Sequence, residues 1–301
     1  MKKINLREIF CFFIRVSFVS LTLRFIDGFR APIIVSYHNP KASVLREHIE
    51  YYTKHFNFIT LDELVKAINS KNIKSLPPRS IVMTFDDGHK GNYELLDLFK
   101  EFKIRPTIYV CSGLVDTTRK LWFKVAEDPQ KLKKIKHNER IQYLKENYDF
   151  SVLKEFGEEY RDVLNKKELL EISKFSDIGC HTRFHPILTT MNDDEVNGEI
   201  YDAKIELEAI LNKEVNHFAY PNGDFTSREL ELIKKSGFKS IRTINCDNIK
   251  DKVDVFNLPV LGIDDNDSIN MLVVQLSRFP KRFKNLIKTG SFSGNYSPIK
   301  L

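Results

Sequence analysis

Apolar positions in this chain fall into short unbroken runs separated by stretches in which they recur every three or four residues. The runs are Ile33–Tyr37, Ile81–Phe85, Thr107–Cys111, Ile178–Cys180, His217–Tyr220, Ser240–Ile244 and Leu258–Ile263. They do not alternate with polar residues, which is the pattern of parallel strands covered on both faces. Between them the helical period takes over. Thr60 and Glu63 form a capping box ahead of Leu61, Leu64, Val65 and Ile68, which share one helix face. Asn192 and Glu195 do the same ahead of Val196, Ile200, Ala203, Leu207 and Leu211. Thr226 and Glu229 open a third helix carrying Leu230 and Ile233, with Gly237 as its C-terminal stop.

Strand and helix alternate about seven times, so the chain reads as α/β, either a barrel or a doubly wound sheet. No Pro/Gly/Ser linker divides it. One long interruption, about 115–176, is highly charged and helical in pattern, and reads as an insertion in a single crossover. It holds the single tryptophan, Trp122, which with Phe123 is expected to pack inward.

Composition narrows the class. The 301 residues are 42 % hydrophobic and 29 % charged, a globular balance with ample length for a large core. A net charge of +6 is a modest excess. No aromatic-basic repeat accompanies it, so nucleic acid is not an expected partner. The basic runs Lys131–Lys136 and Arg278–Lys288 read as solvated faces. Cys11, Cys111, Cys180 and Cys246 form no CxxC pair, which excludes a zinc knuckle or a redox motif. Cys111 and Cys180 read as small core residues.

The N-terminus carries Lys2 and Lys3 before an apolar stretch from Ile9 to Leu23. Arg15 interrupts that stretch, and no small-x-small cleavage site follows. A spanning helix wants about 20 unbroken apolar residues. Residues 1–30 are therefore read as an amphipathic helix, packed on the domain or lying on a membrane, with an uncleaved anchor as the alternative. This favours a cytoplasmic or peripheral membrane location over export or anchoring at the cell envelope. The tail, Thr289–Leu301, reads as a loose end after a C-terminal helix within 266–301.

The polar residues cluster where the apolar runs stop. His38 follows the first run, Asp86–Asp87 the second, His181 and His185 the fourth, and Tyr220–Asp224 the fifth. In parallel α/β folds the carboxyl ends of the strands build the active site. Adjacent carboxylates at such an end repel one another, and a cation relieves one while leaving the other free to move a proton. "HTRFHP" (His181–Pro186) offers two imidazoles at an i, i+4 spacing. Alone that spacing is weak, equally compatible with two surface histidines. Two histidines with a carboxylate make a catalytic zinc site that keeps one position open for water.

In order along the chain, "TFDDG" (Thr84–Gly88), "HTRFHP" and "FAYPNG" (Phe218–Gly223) resemble the polysaccharide deacetylases with a NodB-type domain, carbohydrate esterase family 4. "VSYHNP" (Val35–Pro40) with "FITLDELVKAI" (Phe58–Ile68), and "LPVLGI" (Leu258–Ile263), extend the resemblance over about 31–265. It implies a distorted (β/α)7-type barrel and metal-dependent removal of acetyl groups from an N-acetylated polysaccharide or glycolipid sugar. By position, Asp87, His181 and His185 would hold a divalent metal, zinc first among the candidates. Asp86 would be the general base, and the backbone N–H of Asn222 the oxyanion donor. Apart from the resemblance, Tyr220 is read as a residue of the substrate groove, with filling of the barrel top as the equal alternative.

The sequence departs from the family pattern in three places. Ala219 stands where many members carry an Arg that orients the base, and Val260 replaces the Arg of a Leu-Pro-Arg segment. No Leu-x-His motif follows near the C-terminus, since His217 is the last histidine. His38 matches by position the first-strand histidine that serves as general acid in poly-N-acetylglucosamine deacetylase-like members, with His89 as the fallback. Hydrolysis of another linear C–N amide and a glycan-binding module without turnover remain the alternatives. The oligomeric state is left open.

Overall fold

The apolar runs become strands of a single parallel sheet. The computed structural model describes residues 6–17, 31–244, 249 and 253–277. The run Arg278–Lys288, the tail Thr289–Leu301, Cys246, Arg24 and Asp27 lie outside the described residues. The strands are β1 (Ile33–Tyr37), β2 (Asn57–Phe58), β3 (Ser80–Phe85), β4 (Thr107–Val110), β5 (Asp177–Cys180), β6 (His217–Ala219), β7 (Ser240–Arg242) and β8 (Leu261–Gly262). The helices are α1 (Leu6–Val16), α2 (Ala42–His55), α3 (Leu61–Asn69), α4 (Leu96–Glu101), α5 (Trp122–Val125), α6 (Pro129–Leu132) and α7 (His137–Tyr148). They continue with α8 (Lys166–Ile172), α9 (Asp193–Asn197), α10 (Ala203–Leu211), α11 (Ser227–Lys235) and α12 (Ile269–Leu276).

Strand order is β7-β6-β5-β4-β3-β1-β8, with β2 beside β3. All the pairings are parallel. β2 takes the start of β3 (Ser80, Ile81), and β4 takes its end (Thr84, Phe85). The segment after β7 touches both edges: Leu258 bridges to Arg242, while Leu261 and Gly262 pair with β1. That double contact curls the sheet into a distorted seven-stranded barrel.

Successive residues of each strand point to opposite faces. Val35, Met83, Phe85 and Ile108 therefore pack outward under the helices, in one core with Leu45, Phe99, Leu169, Ile200 and Leu207. Ile34, Val82, Tyr109, Ala219, Leu258 and Val260 form a second cluster. Cys111 and Cys180 are buried core residues with free thiols. The capping boxes at Thr60, Asn192 and Thr226 all form, and a fourth forms at Asn165 with Glu168. Gly237 follows α11 at φ 79°, a left-handed turn that glycine adopts without steric cost.

Between β4 and β5 the chain leaves the barrel for α5, α6 and α7. These share a separate small core of Trp122, Leu132, Leu144 and Phe150, to which Ile187 belongs from the loop after β5. Arg140 is wholly buried there. Its guanidinium lies 4.9 Å from the Trp122 ring and donates to Thr190 Oγ1 at 3.1 Å. The insertion is thus fastened to the loop that follows β5. Lys166–Ile172 returns to the main core through Leu169 and Ile172, as the crossover helix proper.

Phe218 on β6 is wholly buried against Tyr220 and Phe238. Phe218→Ala should cost about 3–5 kcal/mol, the range for emptying a buried phenylalanine site, read as a lowered urea midpoint with an unchanged slope.

Candidate functional site

β3 ends at Phe85, and the backbone then enters the left-handed region at Asp87 (φ 69°) and Gly88 (φ 65°). A side chain at Gly88 would meet Val110 at 3.0 Å, so both angle and space favour glycine there. This turn separates the two carboxylates. Asp87 is buried, with Oδ1 3.4 Å from His181 Nε2 and 3.2 Å from His185 Nε2. Asp86 reaches a different set of partners.

The histidines are not on a helix. Thr182 (φ 68°) and His185 (φ 58°) are left-handed, and the loop between them is closed by three hydrogen bonds. His185 N donates to Thr182 Oγ1 at 3.1 Å, while Arg183 N and Phe184 N donate to Glu199 Oε2 at 2.8 and 3.0 Å. Glu199 arrives from a five-residue π-helical turn, Gly198–Asp202, between α9 and α10. Insertion residues complete the setting. Trp122 Nε1 donates to the His185 carbonyl at 2.9 Å, and the Phe123 ring meets His185 edge-on with centroids 4.9 Å apart.

Asp87, His181 and His185 offer ligand atoms within 4.8 Å of one another. Two observations show that they fit a cation. Asp87 Oδ1 is buried and has no hydrogen-bond donor, although two imidazole nitrogens face it. Bonds of about 2.0–2.1 Å at tetrahedral angles put neighbouring ligand atoms about 3.3 Å apart. The two separations, 3.2 and 3.4 Å, bracket that value. His181 Nδ1 also lies 2.7 Å from the Ala219 carbonyl, so Nδ1 carries a proton and a neutral ring would present Nε2 as a lone-pair donor to a cation. His89 Nε2 lies 3.2 Å from the other oxygen, Asp87 Oδ2, and Lys124 Nζ is 3.4 Å from His89 Nδ1. Burial opposes ionisation of Asp87, but the imidazoles of His185, His181 and His89 outweigh it and hold the carboxyl well below its usual range.

Asp86 is buried at the same strand end. Ser36 Oγ donates to its Oδ2 at 3.2 Å, and Arg242 donates to its Oδ1 at 2.5 Å. Arg242 is the residue that sequence reasoning missed. Ala219 and Arg242 are paired in register across β6 and β7, so they share one face of the sheet. The cation absent at position 219 is thus supplied one strand over. Its guanidinium lies 5.0 Å from the Tyr109 ring. The available signal was a lone arginine inside an apolar run, Ser240–Ile244. Burial would raise the Asp86 carboxyl, but Arg242, His181 and His38 bring it below its ordinary value.

His38 reaches the mouth of this cluster. Its side chain is half exposed, its Nε2 is 4.0 Å from Asp86 Oδ2, and its backbone N–H donates to Asp265 at 3.0 Å. His89, the fallback proton donor, is buried between Asp87 and Lys124. Asn222 sits in a left-handed turn (φ 57°) three residues beyond the carbonyl that holds His181. Tyr220 does not line an open groove. It is 3 % exposed, stacked on Phe225 with centroids 4.6 Å apart, because a large ring at this strand end is drawn into the aromatic cluster around Phe218.

Glu199 generates a test. Burial pushes its carboxyl up to about 7, against 4.5 for an ordinary glutamate, despite the backbone donors of Phe184 and Arg183 that favour the charge. Between those values the folded chain holds a proton that the unfolded chain has released. Stability therefore falls as pH rises through that window. Glu199→Gln keeps an acceptor for both N–H groups and should flatten this decline in urea titrations at pH 5 and pH 8. Glu199→Ala strands two half-buried donors and should cost about 1–3 kcal/mol.

Comparison with known proteins agrees with this geometry. Residues 73–241, more than half of the chain, match the polysaccharide deacetylase family. The peptidoglycan-N-acetylmuramic acid deacetylase PdaA of Bacillus subtilis (strain 168) is 21 % identical over 184 residues, which cover 60 % of this chain and 52 % of PdaA. The chain thus spans about half the length of that curated relative. Among solved structures, the Streptococcus pyogenes deacetylase PplD superposes with a TM-score of 0.60 at 18 % identity, covering 80 % of this chain and 96 % of PplD. IcaB from Ammonifex degensii gives 0.60 at 16 % identity, covering 82 % and 97 %. At such identities the two structures speak for the fold, which is the same curled parallel sheet. The matched span contains Asp86, Asp87, His181, His185 and Asn222, and on that span the chain belongs to the polysaccharide deacetylase family.

Proposed function

We propose that this protein hydrolyses the acetamide of an N-acetylated glycan or glycolipid sugar, releasing acetate, with a divalent cation held by Asp87, His181 and His185. The observation that carries the reading is Asp87 Oδ1, a buried acceptor without a donor and shared by two imidazoles, beside a second carboxylate kept ionised by Arg242. Family membership supports the reaction class. PplD was solved in complex with acetate, the product expected here. Zinc suits a set of two imidazoles and one carboxylate, though other divalent ions accept the same donors.

When bound, the cation would supply a Lewis acid for the acetamide carbonyl and acidify a water molecule. The remaining work belongs to the chain. Asp86 takes the proton of the attacking water as general base. Arg242 and Ser36 keep its carboxylate charged and aimed. The Asn222 N–H donates to the oxygen on which charge develops. His38, at the mouth and 4.0 Å from Asp86, protonates the departing amine. An imidazole suits that task because it exchanges its proton near neutrality. His89 acts instead on Asp87, holding Oδ2 so that Oδ1 points at the two ligand histidines.

Acetate release from a panel of N-acetylated glycans, measured with and without chelator, tests the reading. Chelation should abolish turnover and a divalent cation should restore it. Asp86→Asn should lower kcat/KM about 10²–10⁴-fold, the span for losing a general base. Turnover that survives both changes refutes the proposal. Arg242→Ala should move the acid-side inflection of kcat/KM to higher pH, because removing the cation lets burial raise the Asp86 carboxyl. Arg242→Lys should move it less.

A further inference from the structure

A helix at the surface normally turns its apolar stripe to the core and its polar stripe to water. α1 does the reverse. Glu8, Cys11 and Arg15 lie at i, i+3 and i+7 on one stripe, and this stripe faces the body of the protein. Glu8 accepts from Ser268 Oγ and from Asn270, Arg15 donates to Asn270 Oδ1 at 2.9 Å, and Cys11 is buried. Ile9, Phe12, Phe13 and Val16 follow the same spacing on the opposite stripe and point outward, with Phe13 61 % and Val16 53 % exposed. Among the described residues no other element carries so many exposed large apolar side chains.

The charge along this segment selects the occupant. Residues 1–26 hold five basic residues, Lys2, Lys3, Arg7, Arg15 and Arg24, against one acidic residue, Glu8. Glu8 is already engaged by α12 and its cap. A second copy of the chain would set two such cationic segments against each other. Anionic phosphate headgroups would neutralise them. Among the described residues no helix is long and apolar enough to cross a membrane, so a lipid surface would be met side-on.

We propose that α1 is a membrane-docking helix whose outward stripe, Ile9, Phe12, Phe13 and Val16, inserts into the interfacial layer of an anionic bilayer. The connection to the candidate site is short. Ser268, which holds Glu8, caps α12 at the end of a loop in which Asp265 fixes the backbone of His38 and Asn39 and the Asp267 carbonyl meets His48. Docking through α1 would therefore bring the mouth marked by His38 to the lipid surface. There a sugar carried on a lipid, or a glycan emerging beside it, would be within reach. The docking itself is independent of the deacetylase reading, and its test uses no turnover.

The full chain is sedimented with vesicles of phosphatidylcholine mixed with phosphatidylglycerol, and separately with pure phosphatidylcholine. Binding to the anionic vesicles should be strong and should weaken as salt rises. The double variant Phe12→Glu with Phe13→Glu should lower the partition coefficient at least about tenfold while keeping the parent's thermal melt. As a check that does not depend on that variant's folding, Phe13→Cys carrying an environment-sensitive dye should shift its emission to the blue on anionic vesicles. Failure of the parent chain to sediment, equal sedimentation of the variant, or an unshifted dye overturns the proposal. So does a lipid-free dimer, seen by light scattering, that the same double variant dissociates, because the apolar stripe would then belong to a second copy.

Discussion

Two negative charges placed side by side at the buried end of a strand are the constraint around which this protein is arranged. Burial and mutual repulsion both disfavour the pair, so each carboxylate needs its own compensation. The left-handed turn at Asp87 and Gly88 makes that feasible by sending the two side chains to different partners. Asp86 is met by Ser36 from the adjacent strand β1 and by Arg242 from β7, four strands away along the curled sheet. Asp87 is met by three imidazoles, two at one oxygen and one at the other. The asymmetry gives the pair two environments, one carboxylate facing imidazoles and the other paired with a guanidinium and a hydroxyl.

The partners are in turn held by elements remote from the chemistry. The loop carrying His181 and His185 has no regular structure of its own. It keeps its shape because Glu199, Thr182 and Trp122 each satisfy or engage its backbone. Glu199 can reach it because the helix between Asp193 and Leu211 includes a π-helical turn, a widened turn often found beside functional sites. Trp122 can reach it because the insertion is fastened at Thr190 by the buried Arg140. A segment that looks peripheral in the chain order therefore forms one wall of the site.

The N-terminal helix is fastened by the opposite logic. Its polar side is satisfied by Ser268 and Asn270, so its apolar side is left to whatever surrounds the molecule. The loop between β8 and α12 joins the two regions, since Asp265 in that loop holds the backbone beside His38.

Much of this was legible along the chain. Continuous apolar runs gave the buried strands because both faces of a parallel sheet are covered. Thr60, Asn192 and Thr226 announced their helices because a cap is a local contact between residues three apart. DDG and HxxxH at strand ends named the polar cluster, since residue type and place in the strand-helix rhythm are both linear properties. Arg242 was not legible as the partner of Asp86, because 156 residues separate them and only the register of β6 against β7 brings it to the face that position 219 shares. Nor was the choice between groove and packing for Tyr220, or the engagement of His89 with Asp87, since both follow from packing around the barrel mouth. Which side of α1 faces the protein was equally hidden. Sequence fixes that a helix has two faces, while hydrogen bonds to residues some 260 positions away decide which of them is turned to solvent.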